Sequence, residues 1–296
     1  MTVGASVVVV DKPPGLTSHD VVARIRRVAG TRRVGHAGTL DPMATGVLVV
    51  GVGRATRLLG HLSATEKSYE ATIRLGASTT TDDADGAVVS RAFAGDLDEA
   101  RVCSAVAAFL GEIDQVPSAV SAVKVGGQRS YARVRRGERV DLPPRRVHVF
   151  ALEVSEVAAH HDHTDLAVRV VCSAGTYIRA LARDLGAALG VGGHLTRLRR
   201  TAVGSFTLAD ARTLDQLAQR WEVMGMGAAA ARAFPTVAVD ESVAARVRHG
   251  APLVSWTLPT TDRPVALLAP DGQLLALYRQ RGCDAVAITV LAQQPG

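Results

Sequence analysis

The chain has 296 residues, 47% of them hydrophobic and only 4% aromatic, enough for one large domain or a large and a small one with an aliphatic, alanine-rich core. Thirty-four Lys and Arg against 28 Asp and Glu give a formal charge of +6, which leans towards an anionic partner. Three scattered cysteines with no CxxC pair argue against a zinc or disulfide framework, and no apolar run approaches membrane-spanning length.

Val7 to Val10 reads as a buried strand. Thr17 or Ser18 then caps a helix whose apolar stripe is Val21, Val22, Ile25 and Val28, with Gly30 as its stop. The outer face carries Arg24, Arg26 and Arg27. Next comes GHAGTLDPMATGVLVV, residues 35 to 50, which holds a single acid, Asp41. Gly35, Gly38 and Gly46 relax the backbone there, and Pro42 biases Asp41 towards an extended conformation. The β-branched run from Gly46 to Gly51 reads as a buried strand. A carboxylate is thus presented at the mouth of a strand, flanked by His36 and Thr39.

Gly51-Val-Gly53 resembles the start of a dinucleotide fingerprint, but Thr56 stands where the third glycine belongs, and a short helix to Leu62 is the better reading. Lys67 to Leu75 alternates as a strand, with Tyr69, Ala71, Ile73 and Leu75 on one face. TTTDDADGAVV lacks the ligand spacing of a calcium loop and reads as a hairpin tip. Asp98 to Leu110 is an amphipathic helix. The stretch from about 124 to 148 holds eight Lys and Arg against two acids and reads as a basic RNA-binding arm, with Tyr131 placed to stack on a base.

Strands are expected over Val147 to Val157 and Asp165 to Cys172, joined by HHDHTD, a tip with solvated histidines. A helix follows with the stripe Ile178, Leu181, Leu185 and Leu189. Tyr177 and Arg179 fall in its first turn, off the stripe. An arginine there gains nothing from the helix dipole, and such broken local rules cluster at functional sites. Leu195 and Leu198 are the apolar positions of a loop and strand that also carry Arg197, Arg199 and Arg200. Residues 210 to 233 read as helical. From Pro235 onward five Arg balance five acids, and short apolar runs indicate a small β-rich domain. The positive excess therefore lies before residue 235, in three Arg-rich runs (24 to 33, 124 to 148 and 197 to 200) that suit a phosphate-binding surface.

No P-loop, nucleophile elbow or metal constellation is present, which leaves carboxylate chemistry without a cofactor. GHAGTLDPMATGVL resembles the catalytic motif of the TruB-type pseudouridine synthases. DKPPGLTS, KSYEATIRLG, SAVKVGGQRSYARVRRGE, SAGTYIRALARDLG and HLTRLRRT extend that resemblance in order over most of the first 234 residues. Ala37, where the family often has threonine, and the missing paired prolines of VPSAVSAVK depart from it. The resemblance implies an α+β fold: a catalytic domain over residues 1–234 with a mixed, largely antiparallel sheet flanked by helices, and a PUA-type RNA-binding domain over 235–296. It implies isomerisation of uridine-55 in the T loop of tRNA, with no cofactor and no metal.

Asp41 would be the essential acid, acting either at the anomeric carbon of the sugar or by addition to the uracil ring, with Arg179 as its ion-pair partner. Tyr69 would stack on the flipped base and assist proton removal. Tyr177 and Leu198 would form pocket walls, His36 would enter the T loop, Lys12 would bind substrate at the base of the site, and Lys124 and Tyr131 would contact RNA from the arm. The expected partner is the tRNA T stem-loop, with no membrane, no obligate protein partner, a monomeric state and a cytoplasmic location in keeping with reduced thiols. A rival of another class is a tRNA-binding or folding module without catalysis. Turnover of unmodified tRNA separates the two.

Overall fold

The computed structural model describes residues 4–118, 124–125, 128–129 and 142–292. The first strand, β1 (Ser6–Lys12), leads to helix α1 (Ser18–Ala29). Thr17 and Asp20 close a capping box at the start of α1, and Gly30 ends it in the left-handed region. Val21, Val22 and Ile25 are buried as expected, whereas Val28 is exposed and Ala29 takes the inward position. Strand β2 (Val34–His36) and the Asp41 loop precede β3 (Thr45–Val52). A 3-10 turn, Gly53–Leu58, and helix α2 (Leu59–Ser63) connect to β4 (Lys67–Leu75).

The acidic stretch is a hairpin, β5 (Ala77–Thr79) and β6 (Val88–Arg91). Helix α3 (Glu99–Ala107), capped by Asp98, is followed by β7 (Gly111–Gln115). In the basic stretch, β8 (Lys124–Val125) pairs with β9 (Gln128–Arg129). The long hairpin β10 (Arg145–Ala159) and β11 (Thr164–Cys172) precedes helix α4 (Ile178–Ala188) and strands β12 (Gly193–Val203) and β13 (Phe206–Thr207). Residues 210 to 233 are two helices rather than one, α5 (Leu214–Gln219) and α6 (Met226–Ala233), separated by β14 (Met224–Gly225). The C-terminal part holds β15 (Thr236–Ala238), helix α7 (Glu241–Arg248), β16 (Val265–Leu268), β17 (Leu274–Arg281) and β18 (Asp284–Val290). Helix α7 was not anticipated from the sequence.

The central sheet runs β14-β1-β3-β12-β4-β11-β10-β7, with β2 beside β3 and β13 beside β12. Every pairing in it is antiparallel except β3 with β12, so the expected mixed, largely antiparallel sheet is observed. Its middle is buried on both faces, which explains the unbroken apolar runs of β1 and β3. Val8, Val10, Leu48 and Val50 face one core with Ile25 of α1 and Leu181 and Leu185 of α4. Val7, Val9, Val47 and Val49 face a second core with Ala229 and Ala230 of α6. Ala266, Leu274 and Leu277 join that second core, so the four-stranded C-terminal sheet is packed on the central one while keeping a core of its own around Tyr278.

The parallel contact between β3 and β12 fixes the Asp41 loop. Gly46 pairs with Arg200, and its φ is +99°. A Cβ at Gly46 would sit 2.1 Å from the Arg200 carbonyl oxygen. Gly46→Ala is expected to lose at least about 2–4 kcal/mol of stability, since both the backbone conformation and the strand spacing forbid the methyl group. Denaturant unfolding reads this out, and a loss under about 0.5 kcal/mol would contradict the tight β3–β12 approach.

Candidate active site

Asp41 sits in a loop whose carbonyl groups are held by buried cations. Arg200, 1% exposed, donates from Nε to Val47 O (2.7 Å) and from its terminal nitrogens to Gly38 O (3.1 Å) and Thr39 O (3.3 Å). Lys12 is fully buried and spends its ammonium group on the carbonyls of Pro13 (2.9 Å), Leu16 (2.7 Å) and Pro42 (3.2 Å). Burial lowers its pKa to about 8, with the charge of Asp41 opposing that shift. The Ser18 hydroxyl completes the brace, accepting from Leu40 N (2.8 Å) and donating to Leu40 O (3.1 Å).

Arg179 meets Asp41 side-on, Nε to Oδ2 at 2.9 Å and Nη2 to Oδ1 at 3.1 Å. Its remaining nitrogen donates to Thr81 O (2.8 Å) and lies 3.4 Å from Asp83 Oδ2. The Arg179 and Asp83 side chains are 8% and 6% exposed, while that of Asp41 is 33% exposed. One planar fork therefore joins the Asp41 loop to the β5–β6 hairpin, a geometry that lysine cannot reproduce. One turn further along α4, Arg183 pairs with Asp82 at 3.3 Å. Two acids of the TTTDDADG hairpin tip, Asp82 and Asp83, are thus used by two arginines four residues apart on one helix. Sequence reasoning missed this because nothing local links residues 83 and 179.

A cavity of ≈520 Å3 opens beside this pair, within the size range of nucleoside sites. Asp41, Tyr69, Tyr177, Arg179 and Leu198 all line it, together with Lys67, Arg145 and Arg200. Tyr69 rises from β4 and is 8% exposed, and burial pushes its phenol pKa upward against the opposing charge of Arg200. Lys67, two residues earlier on the same face, donates to Ser63 O (2.6 Å) and to Thr65 O. Burial lowers its pKa to about 8, with Arg200 adding to the shift. Tyr177 is the N-cap residue of α4, in an extended conformation.

Other expected positions fall elsewhere. Lys12 does not line the cavity: its three hydrogen bonds hold the Asp41 loop from beneath, so it is a support rather than a substrate contact. His36 lies on β2, edge-on to His19 with ring centroids 5.5 Å apart, and is not among the cavity-lining residues. The Lys124 backbone pairs with Arg129, its side chain lies outside the described residues, and Tyr131 lies outside them altogether. In the run at 197 to 200, Arg197 is exposed, but Arg199 and Arg200 are not open to a phosphate. Arg200 is a buried brace, and Arg199 makes two bonds to Asp11, Nη1 to Oδ1 at 3.1 Å and Nη2 to Oδ2 at 2.8 Å. Among the described residues, His160, His163 and Asp165 bring possible ligand atoms within 4.8 Å of one another. Both Asp165 oxygens are taken by Arg74 (2.8 and 2.7 Å), the two imidazoles stack at 15°, and His163 Nδ1 lies 2.7 Å from Asp162 Oδ1, so pairing and stacking within the tip account for this cluster.

Comparison with known proteins identifies the family. Residues 26–178 match the TruB family pseudouridylate synthase (N terminal domain). Residues 179–230 match the tRNA pseudouridylate synthase B C-terminal domain, and 234–292 the C-terminal domain of tRNA pseudouridine synthase II. The chain belongs to the TruB family of pseudouridylate synthases.

Among its relatives, the tRNA pseudouridine synthase B of Thermobifida fusca is 56% identical over 290 residues, covering 97% of this chain and 98% of that protein. The protein of the same name from an Arthrobacter species is 53% identical, covering 99% of each chain. Among solved structures, a chain of an H/ACA ribonucleoprotein bound to a substrate RNA containing 2'-deoxyuridine superposes with a TM-score of 0.73 at 28% identity, covering 97% of this chain and 85% of that one. A chain of a Cbf5-Nop10-Gar1 complex gives a TM-score of 0.73 at 29% identity with the same coverage. The TruB-family assignment makes this chain a pseudouridine synthase with an α+β catalytic fold and a C-terminal domain of the family's own type. Among the described residues no helix is long and apolar enough to cross a membrane.

Proposed function

We propose that this TruB-family chain converts uridine to pseudouridine at position 55 in the T loop of tRNA, with the target base flipped into the cavity at Asp41. The observation that carries the proposal is the Asp41–Arg179 pair on the wall of a ≈520 Å3 cavity, with Tyr69 and Leu198 beside it. The relatives named tRNA pseudouridine synthase B support tRNA as the substrate.

The reaction is a balanced isomerisation. The bond from the sugar to uracil N1 breaks, the base turns, a bond from the sugar to C5 forms, and the proton lost from C5 is replaced by one on N1. It needs a carboxylate at the cavity wall, and Asp41 lines the cavity while Arg179 fixes its orientation. Tyr69, with its pKa raised by burial, enters the reaction as a neutral phenol, so it offers a stacking face and a donor. One base–aromatic stack is worth about 1–3 kcal/mol, enough to offset much of the few kcal/mol lost when a base leaves its stack.

Incubation with an unmodified tRNA transcript, followed by mapping of pseudouridine, is expected to give product at position 55 alone. Binding without product, or product only elsewhere, would remove the assignment.

Arg145 supplies a finer test. It lines the cavity from the start of β10, is exposed, and has no partner among the described residues, unlike Arg179, Arg200 and Lys67. An unspent cation at the cavity mouth suits an RNA phosphate. Arg145→Ala is expected to raise KM about tenfold with kcat held, and to flatten the salt dependence of binding by about one phosphate contact. An unchanged KM and salt slope would show that Arg145 touches no phosphate.

A further inference from the structure

Gln115, the last residue of β7, is 1% exposed and is not among the cavity-lining residues. Its side-chain amide is spent on one residue: Oε1 accepts the Tyr177 N–H at 2.9 Å, and Nε2 donates to Tyr177 O at 3.3 Å. A side chain here acts as a strand backbone would, meeting both main-chain groups of Tyr177. The Tyr177 carbonyl also accepts the Leu181 N–H at 3.1 Å, the first helical bond of α4. Among the described residues the partner of the Tyr177 N–H is the Gln115 amide oxygen.

The same short stretch is fastened twice more. Arg183 donates to Val116 O at 2.8 Å, and the Ser118 hydroxyl donates to Asp82 Oδ2 at 2.6 Å. Residues 115 to 118 therefore grip α4 at Tyr177 and at Arg183, on either side of Arg179, and also grip the hairpin that carries Asp83. A shift of the Tyr177 main chain would turn its ring away from the cavity and would swing the first turn of α4, where Arg179 lies two residues on.

We infer that Gln115 is a positioning residue for the reaction: its amide holds the Tyr177 main chain, and through it the Tyr177 ring and the Arg179 guanidinium, in register with Asp41. The inference rests on the proposed pseudouridine synthesis at this cavity and assigns Gln115 no contact with RNA.

The test is single-turnover conversion of a tRNA transcript by excess protein, with tRNA binding and thermal unfolding measured alongside. Gln115→Ala is expected to slow conversion about 10- to 100-fold, since misplacement by about 1 Å costs on the order of 100-fold. Its tRNA affinity should stay within about twofold of wild type, because the exposed cations that suit RNA phosphates outside the cavity are untouched.

Gln115→Glu gives a signature that a merely structural role would not. The ionised carboxylate still accepts from Tyr177 N–H but sets an oxygen against the Tyr177 carbonyl, whereas the protonated form restores the donor. Burial raises the pKa of the introduced carboxyl, so the ratio of variant to wild-type rate should climb about tenfold as pH falls from about 8.5 to about 6. A Gln115→Ala rate within about twofold of wild type, or a ratio flat with pH, overturns the inference. Absence of conversion by the wild-type protein overturns the functional proposal and this inference together, whereas normal wild-type conversion with an unaffected Gln115→Ala overturns this inference alone.

Discussion

Asp41→Asn is expected to bind a T-arm stem-loop with near wild-type affinity and to form no detectable pseudouridine, a loss of at least about 10³-fold in single-turnover rate. The substitution is close to isosteric, so the cavity and the loop braced by Arg200, Lys12 and Ser18 should survive it. What it removes is the negative charge that meets the sugar or the ring. It also sets an amide NH2 group against the Arg179 fork, which has only donors to offer. Binding should persist because the exposed cations that suit RNA phosphates, among them Arg24, Arg27 and Arg145, are untouched. The measurement is mapping of pseudouridine after incubation with excess protein. Turnover at the wild-type rate would end the role given to Asp41.

Arg179→Lys should be nearly as damaging although charge is kept, with conversion slowed by at least about 100-fold. Arg179 bonds Asp41 through two nitrogens and reaches Thr81 O and Asp83 through its third. A single ammonium group cannot hold both carboxylates and a carbonyl in one plane. Arg179→Ala goes further, because it strands the Asp83 carboxylate at 6% exposure without its cation. Removing one partner of a buried pair typically costs about 3–5 kcal/mol, and a loss of that order is expected in denaturant unfolding. Full stability in Arg179→Ala, or full activity in Arg179→Lys, would show that the shared fork holds neither the fold nor the acid.

Much of the local structure was legible in advance because it obeys short-range rules. The cap at Thr17 or Ser18, the alternation that buries Tyr69, and the α4 stripe are written within a few residues of one another. Asp41 stood out because glycines, Pro42 and an apolar strand surround it. The resemblance to TruB-type motifs then assigned Arg179 to it, and the structure brings the two together across 138 residues.

Where the reading went astray, the same cause recurs. Lys12 looked like a substrate contact and Arg199 and Arg200 like phosphate ligands, since a cation in a sequence carries no mark of the direction it faces. In the fold, Lys12 and Arg200 turn inward to carbonyls that the Asp41 loop exposes, and Arg199 finds Asp11. The hairpin tip was legible at Asp82 and Asp83, but not their arginines, which lie about a hundred residues away. Helix α7 was passed over because only Ala244 and Val247 of its residues are buried, too short a stripe to register as a period.

The amino-acid order by itself determined most of the elements, the family and the acid at the centre, because periodicity, caps and motif spacing act over neighbouring residues. Only the tertiary structure decided which charges are tools and which are braces. Burial and hydrogen-bond partners set that distinction, and both depend on chain segments that meet only when β3, β12, α4 and the β5–β6 hairpin have packed.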